Sequence, residues 1–299
     1  MSMLRSMNSA ISGMQAFQTD LDVVGNNIAN VNTIGFKSQS VNFSDIMSQT
    51  LAGGNAGSTT VGGTNPEQVG LGVQVADTEM DTSQGPDETT GNATDVAIQG
   101  TGYFVIQNAA GTEKYLTRAG DFSVDSAGNL VLPDGNLAMG YYATTSGTSS
   151  GNLEPINLQS FVNAATTGSY STPATPYNIG NVTIGDDGSI NVTYGNGSTS
   201  TTKTVGYLAL ASVPNPAGLN KVGDNLFSYQ SVAAGTPTVS TPGTGVMGTL
   251  ASGELEQSNV DLSQQFAEMI VAQNAYVANT HMIGTDNTIL QALVNMKNS

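Results

Sequence analysis

Histidine occurs once in the 299 residues, as His281, inside a stretch of helical periodicity near the C-terminus. An imidazole-based triad would have to use it, and a multi-histidine metal site is excluded. A lone helical histidine is far more often a surface or packing residue. The pair Asp186-Asp187 before Gly188 offers oxygen ligands, but it lacks the alternating donors and distal glutamate of a calcium loop. A hairpin turn explains it better. Gly100-Thr101-Gly102 leads into the strand-like run at Tyr103 and not into a helix N-terminus, so it is no phosphate cradle. Glu113, Asp121 and Asp125 could supply a carboxylate pair for glycoside hydrolysis, yet they fall in turn-like, solvated segments. With no nucleophile signature, metal spacing or cofactor motif, the sequence argues against an enzyme and calls for no cofactor.

The strongest pattern is at the two ends. Leu4, Met7, Ile11, Met14, Phe17, Leu21, Val24, Ile28 and Val31 alternate threes and fours with one pair of consecutive threes, which predicts a narrow apolar stripe on a helix. Leu262, Phe266, Met269, Gln273, Tyr276, Thr280, Ile283, Asn287, Leu290 and Val294 alternate four and three throughout, and that period predicts a coiled-coil seam. Ser258 or Asp261 is placed to cap the second helix, with Gln264 three residues after the aspartate. The first helix contains or adjoins Gly13, Gly25, Asn26, Asn27, Asn30 and Asn32, so it gains order only when packed.

Composition narrows the function classes. There are 7 Lys and Arg against 23 Asp and Glu, for a formal net charge of -16. Such a balance argues against nucleic acid, whose phosphates require clustered cations. No basic residue occurs from Ser38 to Glu113, which argues against an acidic membrane partner for that segment. The chain has no cysteine, which suits work outside the cytoplasm without disulfides. The N-terminus shows no apolar run of signal-peptide length, and no stretch predicts membrane insertion.

Between the ends, short strands are expected at Tyr103 to Gln107, Lys114 to Arg118, Phe122 to Asp125, Asn129 to Leu132 and Leu137 to Tyr142, then at Asn181 to Ile184, Ile190 to Tyr194, Val205 to Ala211 and Leu226 to Tyr229. Asp134-Gly135, Asp187-Gly188 and Asn196-Gly197 mark hairpin turns. The expected fold class is α+β, with terminal N- and C-helices pairing as a coiled coil and a central antiparallel β-rich domain between them in sequence. The expected organisation is a terminal helical domain of residues 1–37 and 255–299, an extended linker at 38–72, a β-rich middle domain of 73–143 and 178–254, and a small insertion at 144–177 with little fold of its own.

The segment NNIANVNTIGFK, from Asn26 to Lys37, resembles the N-terminal motif of the bacterial flagellar rod and hook axial proteins. ELEQSNVDLSQQFAEMIVAQNAYVANT, from Glu254 to Thr280, resembles the motif at the other end of that family. TNPEQVGLGV, GTGYFVI, YLTRAGDFSVDSAGNLV and SVPNPAGLNKVGDNLF extend the resemblance to nearly all the chain except 144–177. SDIMSQTLAGG, from Ser44, and NVDLSQQFAEMIVAQ are most similar to hook-type members, with distal-rod members next. Asn274 stands where many members carry an arginine, and Gly284 and Asn287 interrupt the last helix.

The resemblance implies a non-enzymatic structural subunit of the flagellar hook, polymerising with itself into a curved helical tube that transmits torque from motor to filament. It implies contacts with the distal rod protein, hook–filament junction proteins, a hook cap during assembly and the flagellar export apparatus, and an extracellular place in the hook and basal body reached by type III export without a cleaved signal. Self-assembly is expected to rest on Leu4, Met7, Ile11, Met14, Leu21 and Ile28, on Asn26, Asn27, Asn30, Asn32, Gly35 and Phe36, and on Leu262, Phe266, Met269, Tyr276, Ile283 and Leu290. A distal rod subunit and a secreted carbohydrate-binding or adhesive β module are the alternatives.

Overall fold

The computed structural model describes the chain except residues 1, 58–61, 109, 144–148, 150, 168–169, 172, 174–176, 196–199, 231 and 298–299. It contains three α-helices, α1 (Ser2–Ala29), α2 (Leu158–Thr167) and α3 (Leu262–Lys297), and a central set of antiparallel strands. The terminal helices and β-rich middle expected from the sequence are both present. Two compact units divide the chain. One holds Met1–Asn30, Ser38–Asp81 and Val260–Ser299; the other holds Val31–Lys37 and Thr82–Asn259.

In the helical unit α1 and α3 run antiparallel. Ser6 donates to Asp286 across the pair, Gly13 faces Asn279, and Asn27 donates to Gln265. Asp261 caps α3, its Oδ1 accepting from the amides of Ser263 at 2.7 Å and Gln264 at 3.2 Å. Residues 38–72, expected as an extended linker, instead supply paired strands: Gln39–Asp45 pairs with Val73–Met80, and Ser48–Ala52 with Glu67–Gly70. Phe43 of the first strand packs on Phe17 of α1 with ring centroids 5.4 Å apart. The Gly, Thr and Asn content hid a ribbon whose stability comes from backbone pairing and from lying on a helix, because its outer strands carry no buried side chain.

The β unit is built on a continuous sheet whose main path runs Asn178–Ile184, Ser189–Gly195, Ser200–Leu208, Leu137–Tyr142, Tyr103–Gln107, Lys114–Thr117, Leu226–Ser228 and Lys221–Gly223. Val96, Ile98, Phe104, Ile106, Leu130, Leu158, Phe161, Ile190, Val192 and Leu208 fill its core. The expected insertion at 144–177 is corrected here. Leu158, Phe161, Val162 and Ala165 repeat at helical spacing and are fully buried, so α2 closes the core. The turns at Asp134-Gly135 and Asp187-Gly188 form as read, with both glycines at positive φ. Asn196-Gly197 lies outside the described residues, as do 144–148, 150, 168–169, 172 and 174–176 within the insertion.

The chain enters and leaves this unit side by side. Asp87–Thr89 pairs with Glu254–Glu256, and Val96–Gln99 pairs with Thr249–Ser252. Residues 255–259 therefore belong to the β unit and not to the terminal helix domain. The same is true of Val31–Lys37.

Candidate self-assembly surface

Two helices that repeat every seven residues meet along a seam of two columns. One column is polar or small: Ser6, Gly13, Asp20 and Asn27 on α1, and Gln265, Ala272, Asn279 and Asp286 on α3. Gln265, Ala272, Asp286 and Asn27 are buried. Ser6 Oγ donates to Asp286 Oδ2 at 2.7 Å, and Asn27 Nδ2 donates to Gln265 Oε1 at 2.9 Å. A Cβ on Gly13 would lie 2.8 Å from Asn279 Nδ2, so the helices approach closely there. Burial pushes the Asp20 carboxyl up, and the nearby Glu268 charge adds to the effect.

The second column holds Met269, Tyr276, Ile283 and Leu290, all half-buried as are Met7, Met14, Leu21 and Ile28 on α1. The other half of the expected α3 stripe is displaced by one residue. Gln265 is buried where Phe266 was expected, and Phe266 is 50% exposed; Leu262 and, on α1, Ile11 are exposed as well. Leu4 lies in α1, its side chain outside the described residues. The physical reason is packing room: small and amide side chains let the backbones close, and the bulky apolar ones are turned outward.

Outward they form two stripes flanking the seam, Phe266, Ile270 and Val277 on one side and Val271, Met282, Ile289 and Met296 on the other, while Leu262 heads the second column at the exposed start of α3. Covering the remaining exposed half of each is worth about 1 kcal/mol. A face this apolar along a 36-residue helix marks an interaction surface.

The asparagine-rich corner separates into distinct jobs. Asn27 is fully buried; its Nδ2 donates to Gln39 O at 2.7 Å and its Oδ1 accepts from Gln39 N at 3.0 Å, besides the bond to Gln265. Asn30 Nδ2 donates to Asn26 O and Oδ1, finishing the helix. Asn26 and Asn32 are exposed.

Gly35, Phe36 and Lys37 are buried in the β unit. Gly35 has φ +67, and a Cβ there would stand 2.7 Å from Ala119 N and Arg118 C, so only glycine fits. Lys221 Nζ sits 4.6 Å from the Phe36 ring centroid and donates to Lys37 O at 3.1 Å. Burial holds the Lys221 ammonium below its ordinary pKa.

Sequence reasoning missed an ionic cluster in this place. Lys37 Nζ lies 2.6 Å from Glu256 Oε1 and Arg118 Nη1 lies 3.1 Å from Glu256 Oε2, with all three side chains almost wholly buried. Isolated Lys, Arg and Glu carry no periodic signal, and only the fold brings them together.

Two of the carboxylates weighed for chemistry are held in turns. Asp125 Oδ1 accepts from Ala127 N and Asn129 N at 2.9 and 2.7 Å, and Asp187 Oδ1 accepts from Ser189 N at 3.0 Å. Each carboxylate is the hub of a turn. Burial pushes the Asp121 carboxyl up, and the neighbouring Asp95 and Asp134 charges act in the same direction. Among the described residues no group of His, Asp and Glu is arranged to hold a metal ion, and no helix is long and apolar enough to cross a membrane.

Three family models match in sequence order: the flagella basal body rod protein at residues 7–37, the flagellar hook protein FlgE/F/G D1 domain at 97–192, and the flagellar basal body rod FlgEFG protein C-terminal at 251–296. The chain is 42% identical over 297 residues to the flagellar basal-body rod protein FlgG of Bacillus subtilis (strain 168), covering 99% of this chain and 100% of that one. It is 34% identical to the FlgG of Caulobacter vibrioides over 97% of this chain and 98% of the relative. Identity to the flagellar hook protein FlgE of Treponema pallidum is 28% over 468 aligned positions, covering 99% and 100%. With helices at both ends, a β body between them and relatives matched end to end, the chain belongs to the flagellar hook and basal-body rod protein family.

Proposed function

We propose that this protein is a non-enzymatic subunit that polymerises with copies of itself into a helical tube of the flagellar axis. The observation that carries this is the outward apolar face of α3, which stays uncovered after α1 has packed. Contacts of one face with a different face of the next copy do not close, and they build open helical polymers. The helix and corner residues act at two levels: Met269, Tyr276, Ile283, Leu290 and Asn27 within a subunit, and Leu262, Phe266 and Ile11 between subunits.

Within the axis we place the chain in the hook, in a compact version, with the distal rod protein and junction proteins as end partners, a cap during growth and delivery by the flagellar export apparatus. The segments beginning at Ser44 and Asn259 support this reading. A second reading, the distal rod, is supported by the end-to-end match to FlgG proteins. Basal bodies from a strain lacking the gene distinguish the two. A full-length rod without a hook supports the hook reading, and a shortened rod supports the other. Purified protein that forms no tubes under any condition that polymerises its relatives would overturn both.

A further inference from the structure

We propose that Lys37, Glu256 and Arg118 form a latch that closes the β unit after its sheet has formed. Their place in the fold is unusual. Lys37 comes from a seven-residue segment separated from the rest of the β unit by 38–81, and Glu256 comes from its last strand. Lys37 Nζ also donates to Ser83 O at 2.6 Å, Gly85 N donates to Glu256 Oε1 at 2.9 Å, and Arg118 Nη2 donates to Gly100 O at 2.8 Å. Gly35 N donates to Glu256 O at 2.8 Å. One carboxylate thus holds the incoming segment, the loop at Ser83 to Gly85 and the end of the Lys114–Thr117 strand.

The two ion pairs join residues far apart in the chain, 219 positions for Lys37 and Glu256 and 138 for Arg118 and Glu256. The core hairpins, such as Ser189–Gly195 with Ser200–Leu208, close short loops and bury apolar surface at once. Joining Lys37 to Glu256 must first bring together residues 219 apart, and long-range pairs are rewarded only after that loop entropy is spent. Both charges also lose their water on entering, and the protein bonds that replace it are complete only when the whole set of partners is in place. The latch therefore forms after the rate-limiting step of folding, and opens without the sheet.

The test uses the full chain, in which every tyrosine but Tyr276 lies in the β unit, so tyrosine fluorescence follows this unit. In stopped-flow denaturant jumps, Glu256→Gln should speed unfolding roughly 100-fold or more while changing refolding less than about 3-fold, because it leaves the Lys37 and Arg118 cations buried without their counter-charge. Refolding slowed as much as the equilibrium constant falls would place the latch in the folding nucleus and overturn the proposal. Hydrogen exchange on the unaltered chain decides the matter if that variant does not fold. The amides of Gly35 and Gly85 should exchange at least 10-fold faster than those of Val192 and Val205. Equal rates would mean that the latch opens only with the sheet, and would overturn it.

Discussion

Asn27→Ala is the sharpest perturbation of the helical unit. The side chain makes three bonds, two to the backbone of Gln39 and one to Gln265 Oε1. Gln265 is buried, and its oxygen would keep no bond from α1; Gln39 is half-buried, and water can reach its N–H and C=O. One stranded buried acceptor costs about 1–3 kcal/mol and two partly rewetted groups about 0.5–1 kcal/mol each. Alanine returns about 0.5 kcal/mol through better helix propensity. The net loss is about 1.5–4.5 kcal/mol, roughly a 10- to 2,000-fold shift in the opening equilibrium of the helix pair. Urea titration followed by helical ellipticity, which α1 and α3 dominate, measures it. Asn30→Ala, at the helix end, should cost about 1 kcal/mol or less. If Asn27→Ala melts within 0.5 kcal/mol of the parent chain, the buried amide network does not hold the pair together.

Phe266→Asp should leave the monomer's ellipticity unchanged, because the ring is half in water, and should abolish tubes seen by electron microscopy; normal tubes would show that this stripe faces no other copy. Phe161→Ala should destabilise the β unit by about 3–5 kcal/mol in denaturant titration, since the ring is fully buried beside Tyr142 and Tyr170. A loss under 1 kcal/mol would return α2 to the status of a dispensable insertion. For Asp20, whose folded pKa is raised, the folded state holds the proton more tightly than the unfolded chain. The associated stability is present below the ordinary aspartate range and is lost as pH rises through the raised value. Asp20→Asn should therefore match the parent at pH 3 and exceed it at pH 7 by a few tenths of a kcal/mol after solvent screening; thermal melts at the two pH values that differ by the same amount would contradict this.

How far the sequence could be read depended on which physical signal each segment carried. Tyr103–Gln107 and Leu137–Tyr142 are apolar runs bounded by turn residues, and they are strands as expected. Side-chain chemistry narrowed the cap of α3 to Ser258 or Asp261, and it is Asp261. The seam of α3 was half legible: Met269, Tyr276, Ile283 and Leu290 face α1, but Gln265, Ala272, Asn279 and Asp286 share that face in place of bulkier neighbours. Apolar periodicity identifies an interface without saying whether the cover is the same chain or another copy. α2 was legible in the spacing of Leu158, Phe161, Val162 and Ala165, and the low-complexity flanks masked it. The ribbon at 39–80 had no such signal, because its pairing is a property of the backbone. Lys37, Arg118 and Glu256 could be joined only in three dimensions.

The pairing of Asp87–Thr89 with Glu254–Glu256 bears on how such a subunit can change size over evolutionary time. Incoming and outgoing strands are fastened to each other at the neck, so residues added anywhere between them do not alter the spacing of the two crossings. Lengthening a flexible excursion is cheap, about 0.6 kcal/mol for each doubling.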